Sequence, residues 1–297
     1  MLKYDLNHLY EANGCKRFRL PAFEPYDLYA ANRDYLGAGQ LITFTDLDGT
    51  LMALPPDVTL SVLRSAGEKE LRVYYNASVY RPKDGHFREI PQAGVEYVGH
   101  ITKEAEAQVL TLAARSMAMV SGAYIMRLSD VSFLHTLLSA MALPEDVEKL
   151  VWKLFSVKNA AGIAQLKTDG RLSNEQASVL KTLADLYLPL AEGVALLEKT
   201  DALSPCREQI MHLKELSVAL SASGVGEQFF LDFSLMNSMD YYSGILFQGS
   251  VRDIPFAVLN GGRYDGLAER MGRRDGAVGF CVYLDVIESY RGGEAVL

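Results

Sequence analysis

Side chains two apart on an extended strand share a face, and Gln92-Ala93-Gly94-Val95-Glu96 uses that rule. Gln92, Gly94 and Glu96 point one way, an amide and a carboxylate on either side of a gap. Ala93, Val95 and Tyr97 point the other way. Asp57 and Thr59 have the same two-residue relation on an earlier segment. Arg81 adds a fixed cation, and Tyr241 and Tyr242 add flat rings with hydroxyls. Carboxylates and hydroxyls accept from an ammonium, a guanidinium grips a carboxylate, and aromatic faces flank a planar ring. The chemistry this set suits is recognition of a small polar molecule carrying charges of both signs.

Other reactive patterns fare worse. Asp46-Leu47-Asp48-Gly49-Thr50 has the spacing of an aspartyl-phosphate nucleophile with its acid/base partner at a strand end, the first motif of haloacid dehalogenase-type phosphatases. No phosphate-binding Ser or Thr, Lys and closing acidic pair follow in a doubly wound pattern, so an Asp-Gly hairpin turn is the preferred reading. Gly37-Ala38-Gly39 lacks the third glycine of a dinucleotide fingerprint, and no glycine-rich loop ends in Gly-Lys-Ser or Gly-Lys-Thr. Cys15, Cys206 and Cys281 are widely separated and the five histidines do not gather near them, so neither a disulfide nor a metal is expected. No cofactor is expected.

Composition narrows the class further. The 297 residues are 49% hydrophobic and 22% charged, with 29 basic against 37 acidic residues and a formal charge of −8. That balance, with the basic residues dispersed, lowers the prior for a nucleic-acid partner. No apolar run reaches the roughly 18 residues a membrane span needs, and the first residues lack a signal-peptide core. The expected location is the cytoplasm.

The elements that must position these residues fall into three blocks. Strand patterns occupy Gln40 to Thr45, Thr50 to Leu54, Arg72 to Tyr80 and Arg88 to Gly99. The Pro82-Lys83-Asp84-Gly85-His86 turn makes the last two antiparallel neighbours. From 102 to about 223 the period becomes helical, with a capping box at Ser173 and Gln176 and a kink expected at Pro189. Strands return at Phe229 to Leu235, Gly244 to Val251, Phe256 to Asn260 and Ala277 to Tyr283, with short helices at Tyr264 to Met271 and Leu284 to Tyr290. Hairpins interrupted by one helical insertion predict an α+β fold around an antiparallel sheet. The discontinuous core covers 1–100 and 226–297, and the helical insertion 101–225.

Five segments together resemble the histidyl-tRNA synthetase catalytic core, a class II aminoacyl-tRNA synthetase fold. They are Leu54-Pro55-Pro56-Asp57-Val58-Thr59, Val79-Tyr80-Arg81, Gln92 to Glu96, Met239-Asp240-Tyr241-Tyr242-Ser243-Gly244 and Gly261-Gly262-Arg263-Tyr264-Asp265-Gly266-Leu267. The resemblance runs from about Leu9 to Tyr290. It implies a histidine pocket built from Asp57, Thr59, Arg81, Gln92, Glu96, Tyr241, Tyr242 and Tyr264.

The same resemblance implies lost catalysis. Where the family has Arg-Gly-Leu before its Asp-Tyr-Tyr, this chain has Asn237-Ser238-Met239; the Glu-Arg pair of the last helix reads Asp285-Val286; Leu-Arg-Pro-Glu has become Leu54-Pro55-Pro56-Asp57. Stabilising charge on a transferring phosphate needs those arginines. No room for an anticodon-binding domain is read after Tyr290. The implied chain is a non-catalytic member of the synthetase-like regulatory subunits of short-form ATP phosphoribosyltransferase. It would partner the catalytic subunit, take L-histidine as effector and form a homodimer within a hetero-oligomer. Two readings stay open beside it: a synthetase-like enzyme activating an amino acid with ATP, and a scaffold whose pocket has decayed.

Overall fold

A computed structural model describes residues 2–36, 40–235 and 242–291. Along the chain run α1 (Leu2–Ala12), β1 (Lys16–Arg17), β2 (Glu24–Pro25), α2 (Tyr26–Ala30), α3 (Arg33–Leu36), β3 (Thr43–Thr45), β4 (Leu51–Ala53), α4 (Thr59–Ala66), β5 (Leu71–Lys83), β6 (His86–Gly99) and α5 (Lys103–Val120). Next come β7 (Tyr124–Asp130), α6 (Val131–Met141), α7 (Glu145–Ser156), α8 (Ala160–Thr168), α9 (Asn174–Asp185), β8 (Leu188–Pro189), α10 (Leu190–Glu198), α11 (Arg207–Ala222) and β9 (Phe229–Leu231). The chain closes with β10 (Ile245–Val251), β11 (Leu259–Arg263), α12 (Asp265–Arg270), β12 (Gly276–Tyr283) and α13 (Leu284–Arg291). Two compact units result, one of residues 1–124 with 249–297 and one of 125–248.

The first unit is built on strands in the order β1-β5-β6-β12-β11. β5, β6, β12 and β11 are successively antiparallel, while the short β1 lies parallel to β5. Period-2 patterning gives this sheet two unlike faces. Tyr74, Val95 and Phe280 lie opposite one another and are buried with Tyr97. Helix α1 lies over them, its Tyr10 ring 5.9 Å from Tyr74 and 6.0 Å from Phe280. The Tyr10 hydroxyl is matched by Ser116 of α5 at 3.0 Å, so the buried phenol is satisfied. Aromatic side chains removed from water here contribute roughly 1.5–3 kcal/mol each.

The second unit carries β7 parallel to β9, with β8 antiparallel on the other side of β9, and helices α6 to α11. Asp130 caps α6 by accepting from the Ser132 and Phe133 backbone N–H groups, and Ser173 with Gln176 forms the expected capping box on α9. Pro189 departs from expectation. Helix α9 ends at Asp185, and Pro189 pairs with Phe230 in β8 and then N-caps α10, where its fixed φ and missing donor cost nothing. β7 is an addition to the helical block read from the sequence. It is seven residues long and flanked by helices on both sides.

Asp46, Leu47, Asp48 and Gly49 make the turn between antiparallel β3 and β4. The Asp46 N–H donates to the Thr50 carbonyl at 2.8 Å, and Asp48 Oδ1 accepts from the Thr50 N–H at 2.9 Å. Gly49 takes φ +88°. The aspartates are used up in turn geometry, as the hairpin reading requires.

The β5–β6 hairpin fixes which residues face the candidate site. Lys83 and His86 close it around Asp84 (φ +53°) and Gly85 (φ +77°), the left-handed pair of a type I′ turn. Gly85→Ala should therefore destabilise the chain by about 1 kcal/mol. Urea unfolding measures it, and an unchanged midpoint would mean the turn does not constrain the hairpin.

Candidate functional site

Register builds the site. Glu96, Gly94 and Gln92 of β6 lie opposite Val73, Tyr75 and Ala77 of β5, and opposite Gly279, Cys281 and Tyr283 of β12. Asn260 and Gly262 of β11 continue the row beside Cys281 and Gly279. Directly paired residues of an antiparallel sheet project to the same side, so these side chains share the face turned away from Tyr10.

Two glycines make that face possible. A β-carbon on Gly279 would fall 1.8 Å from Glu96 Oε2, and one on Gly94 would fall 2.4 Å from the Tyr75 hydroxyl oxygen. Neighbouring side chains lie flat across both positions. Gly279 is the space in which the Glu96 carboxyl rests.

Glu96 is 3% exposed. Thr59, the first residue of α4, donates its hydroxyl to Oε1 at 2.9 Å, and Tyr264, the N-cap of α12, donates to Oε2. The Tyr264 backbone is anchored in turn by its N–H to the Ala277 carbonyl at 2.8 Å. Both contacts favour the ionised carboxylate, but burial outweighs them, and the Glu96 pKa is pushed up to about 8, with the charge of Asp57 acting in the same direction. The carboxyl thus meets two hydroxyl donors, in a place where an ionised group gains most from a cation.

The adjoining part of the site holds Asp57 and Arg81. Pro55 and Pro56 lace the segment before α4 onto β5: the Pro55 carbonyl accepts from the Tyr80 N–H at 2.9 Å, and the Pro56 carbonyl from Arg81 Nε at 2.6 Å. The guanidinium also meets Asp57 Oδ2 at 3.3 Å, while Asp57 Oδ1 accepts from the Leu60 N–H in the first turn of α4. Both side chains are half-buried.

Of the residues read from the sequence, Thr59, Tyr264 and Glu96 are joined by direct hydrogen bonds, and Asp57 and Arg81 by an ion pair. Gln92 is buried on the same face. Tyr242 belongs to the second unit, where it is half-buried and packs against Val131, Leu235 and Leu246. Tyr241 and Asn237 lie outside the described residues. The structure adds Tyr75, Asn260, Cys281 and Tyr283. Their one sequence signal was period-2 spacing within β5, β11 and β12, which marks a face and leaves open which strands adjoin it. Among the described residues, no cluster of His, Cys, Asp or Glu could hold a metal ion, and no helix is long and apolar enough to cross a membrane.

Comparison with known proteins places this geometry in context. The family model described as histidyl-tRNA synthetase matches residues 1–287. ATP phosphoribosyltransferase regulatory subunits from Bacillus thuringiensis and Bacillus cereus are each 26% identical over 292 residues, covering 95% of this chain and 69% of the relative. Among solved structures, an ATP phosphoribosyltransferase regulatory subunit/histidyl-tRNA synthetase from Bacillus halodurans superposes with a TM-score of 0.84 at 24% identity, covering 97% of this chain and 78% of that one. A chain of the ATP phosphoribosyl transferase (HisG:HisZ) complex from Thermotoga maritima gives 0.76 at 20% identity, covering 95% and 96%. Histidyl-tRNA synthetase from Nostoc sp. PCC 7120 gives 0.79 at 15% identity, covering 98% and 71%. These structures share the fold.

A carboxyl whose folded pKa lies above its ordinary value of 4.5 holds a proton that the unfolded chain has released. The stability it lends is complete below pH 4.5 and is lost as pH rises through about 8. Glu96→Gln, which keeps the shape and removes the titration, should flatten this loss, so its melting temperature should fall less than that of the parent between about pH 5 and about pH 9. Parallel profiles for the two proteins would show that Glu96 is ionised throughout.

Proposed function

Because the chain belongs to the histidyl-tRNA synthetase family, with a class II synthetase fold, we propose that it is a non-catalytic regulatory subunit of short-form ATP phosphoribosyltransferase, binding L-histidine in the Glu96 site. The observation that carries this reading is the contrast between the two ends of the site. At one end Glu96, Thr59 and Tyr264 keep a buried acceptor suited to the cation of an amino acid. At the other end the arginine at the motif-two position donates to the Pro56 carbonyl and is paired with Asp57, whose carboxylate offsets the charge a triphosphate would need. Replacement of the family's other arginines by Pro55, Asn237 and Val286 fits the same reading. A chain that retains an amino-acid pocket without activation chemistry serves as a sensor.

Phosphoribosyl transfer then lies in the catalytic partner subunit, with the pair working in the cytoplasm at the start of histidine biosynthesis. The relatives' names support the assignment to an ATP phosphoribosyltransferase complex. Histidine acts by binding one assembly state better than another, and biases activity by that difference alone. Homodimerisation is part of the proposal. Phe23, Phe44, Leu47, Leu51 and Phe87 are exposed in the first unit, with the Phe23 and Phe44 rings 5.3 Å apart, and give a second copy apolar surface to cover.

Isothermal titration of the chain with L-histidine, beside Glu96→Ala and a titration with ATP, tests the ligand. Loss of a charge-assisted contact worth roughly 2 kcal/mol should weaken histidine by about 30-fold in the variant, with ATP silent toward both proteins. Tight ATP binding with pyrophosphate exchange would return the chain to the activating enzymes. Turnover of the complex reconstituted with its catalytic subunit should fall on adding histidine, and turnover indifferent to histidine would remove the sensor.

A further inference from the structure

The face that carries Glu96 changes along β12. Gly279, opposite Glu96, offers no side chain; Cys281, opposite Gly94 and Asn260, offers a small one; Tyr283, opposite Gln92, offers a full phenol ring. The two ends are four residue steps apart along the strand, about 13 Å at 3.3 Å per residue. That length accommodates one amino acid anchored at Glu96. A nucleotide continuing outward from it would meet the Tyr283 ring.

Tyr283 is held in place from three sides. Its backbone N–H donates to the Val258 carbonyl at 2.9 Å, and its hydroxyl oxygen accepts from Asn260 Nδ2 at 3.2 Å. The next residue, Leu284, begins α13 and is buried with Ile287, and that helix packs against β6. A ring fixed by its own backbone, a side-chain hydrogen bond and an anchored helix cannot swing aside cheaply for a ligand. The opposite strand leaves it room, since the residue beyond Gln92 in the cross-strand row is Ala77.

From this geometry we infer that Tyr283, positioned by Asn260, limits the Glu96 site to one amino-acid-sized ligand and closes the adjoining ground to a nucleotide. The inference deepens the proposed histidine site and rests on it. It gives nucleotide exclusion a steric cause that is independent of the lost arginines. Charges in the site reach the same hydroxyl: burial pushes the Tyr283 pKa up to about 12, with Arg81 acting against the shift and Asp57 with it.

The full chain, Tyr283→Ala and Tyr283→Phe should be titrated with L-histidine, with AMP, and with a non-hydrolysable sulfamoyl analogue of histidyl-adenylate. The parent should bind histidine and take the analogue at least about tenfold more weakly. Tyr283→Ala should gain about tenfold or more for the analogue while histidine stays within about threefold. Tyr283→Phe, which keeps the ring, should exclude the analogue as the parent does. A parent that binds the analogue as tightly as histidine overturns the inference, as does Tyr283→Ala still excluding it. So does loss of histidine binding in Tyr283→Ala, which would make Tyr283 part of the amino-acid pocket. AMP separates this inference from the histidine reading. Gain of AMP binding in Tyr283→Ala supports steric closure even where neither protein binds histidine, and no gain in that circumstance overturns it.

Discussion

The candidate site depends on one buried carboxyl. Glu96 lies on the floor of a sheet, satisfied by two hydroxyls. Removing a carboxylate from water costs several kcal/mol unless it is paired or protonated, and the surroundings are arranged around that cost. Gly279 must lack a β-carbon, because the carboxyl occupies the place where one would stand. Thr59 at the start of α4 and Tyr264 at the N-cap position of α12 bring one donor to each carboxylate oxygen. Register between β6 and β12 has no freedom, since a slip of one residue would bury Val95 against the donors and turn Glu96 into the apolar layer under Tyr10.

The two ends of this face have opposite electrostatic character. The hydrogen-bond partners of Glu96 are uncharged donors and the nearby charge of Asp57 is negative, so a cationic group entering there finds a partner. Around Arg81 the cation already has Asp57 and a carbonyl, so an anion entering there must compete with a formed ion pair. Tyr283 lies on the same face, opposite Gln92. An enzyme that attacks phosphorus needs free positive charge where negative charge develops. Among the described residues Arg81 is instead paired with Asp57, and the face that carries Glu96 also carries the Tyr283 ring.

Local pattern carried much of this. Alternation within Gln92 to Glu96 put the right residues on one face before any strand partner was known, and the Asp84-Gly85 turn gave the β5–β6 pairing, because both signals lie within a few residues. The capping box at Ser173 was legible for the same reason. What was not legible is non-local. The company Glu96 keeps comes from residues 37 positions before it and 168 after it, and from β12 lying between β6 and β11. Tyr283, Asn260 and Cys281 read as ordinary strand residues until that order is known. β7 was hidden because Tyr124 to Asp130 is short and sits between long helical patterns, and Pro189 was read within a helix that in fact stops at Asp185. The family resemblance named the expected pocket positions, of which Thr59, Glu96 and Tyr264 are in direct hydrogen-bond contact. Tyr241 lies outside the described residues, and Tyr242 packs against Val131, Leu235 and Leu246 in its own unit.

A protonated carboxyl also sets how strongly the proposed effector can bind. With Glu96 half-ionised at about pH 8, a cation arriving at neutral pH must displace a proton as it pairs with the carboxylate. Each pH unit below that value subtracts about 1.4 kcal/mol from the binding free energy, roughly tenfold in affinity near neutrality. A sensor gains by it. Feedback control needs a site that empties when the effector falls to its working concentration, and a pocket that shares its carboxyl between a proton and a cation is weakened in that sense without losing any contact that distinguishes one amino acid from another.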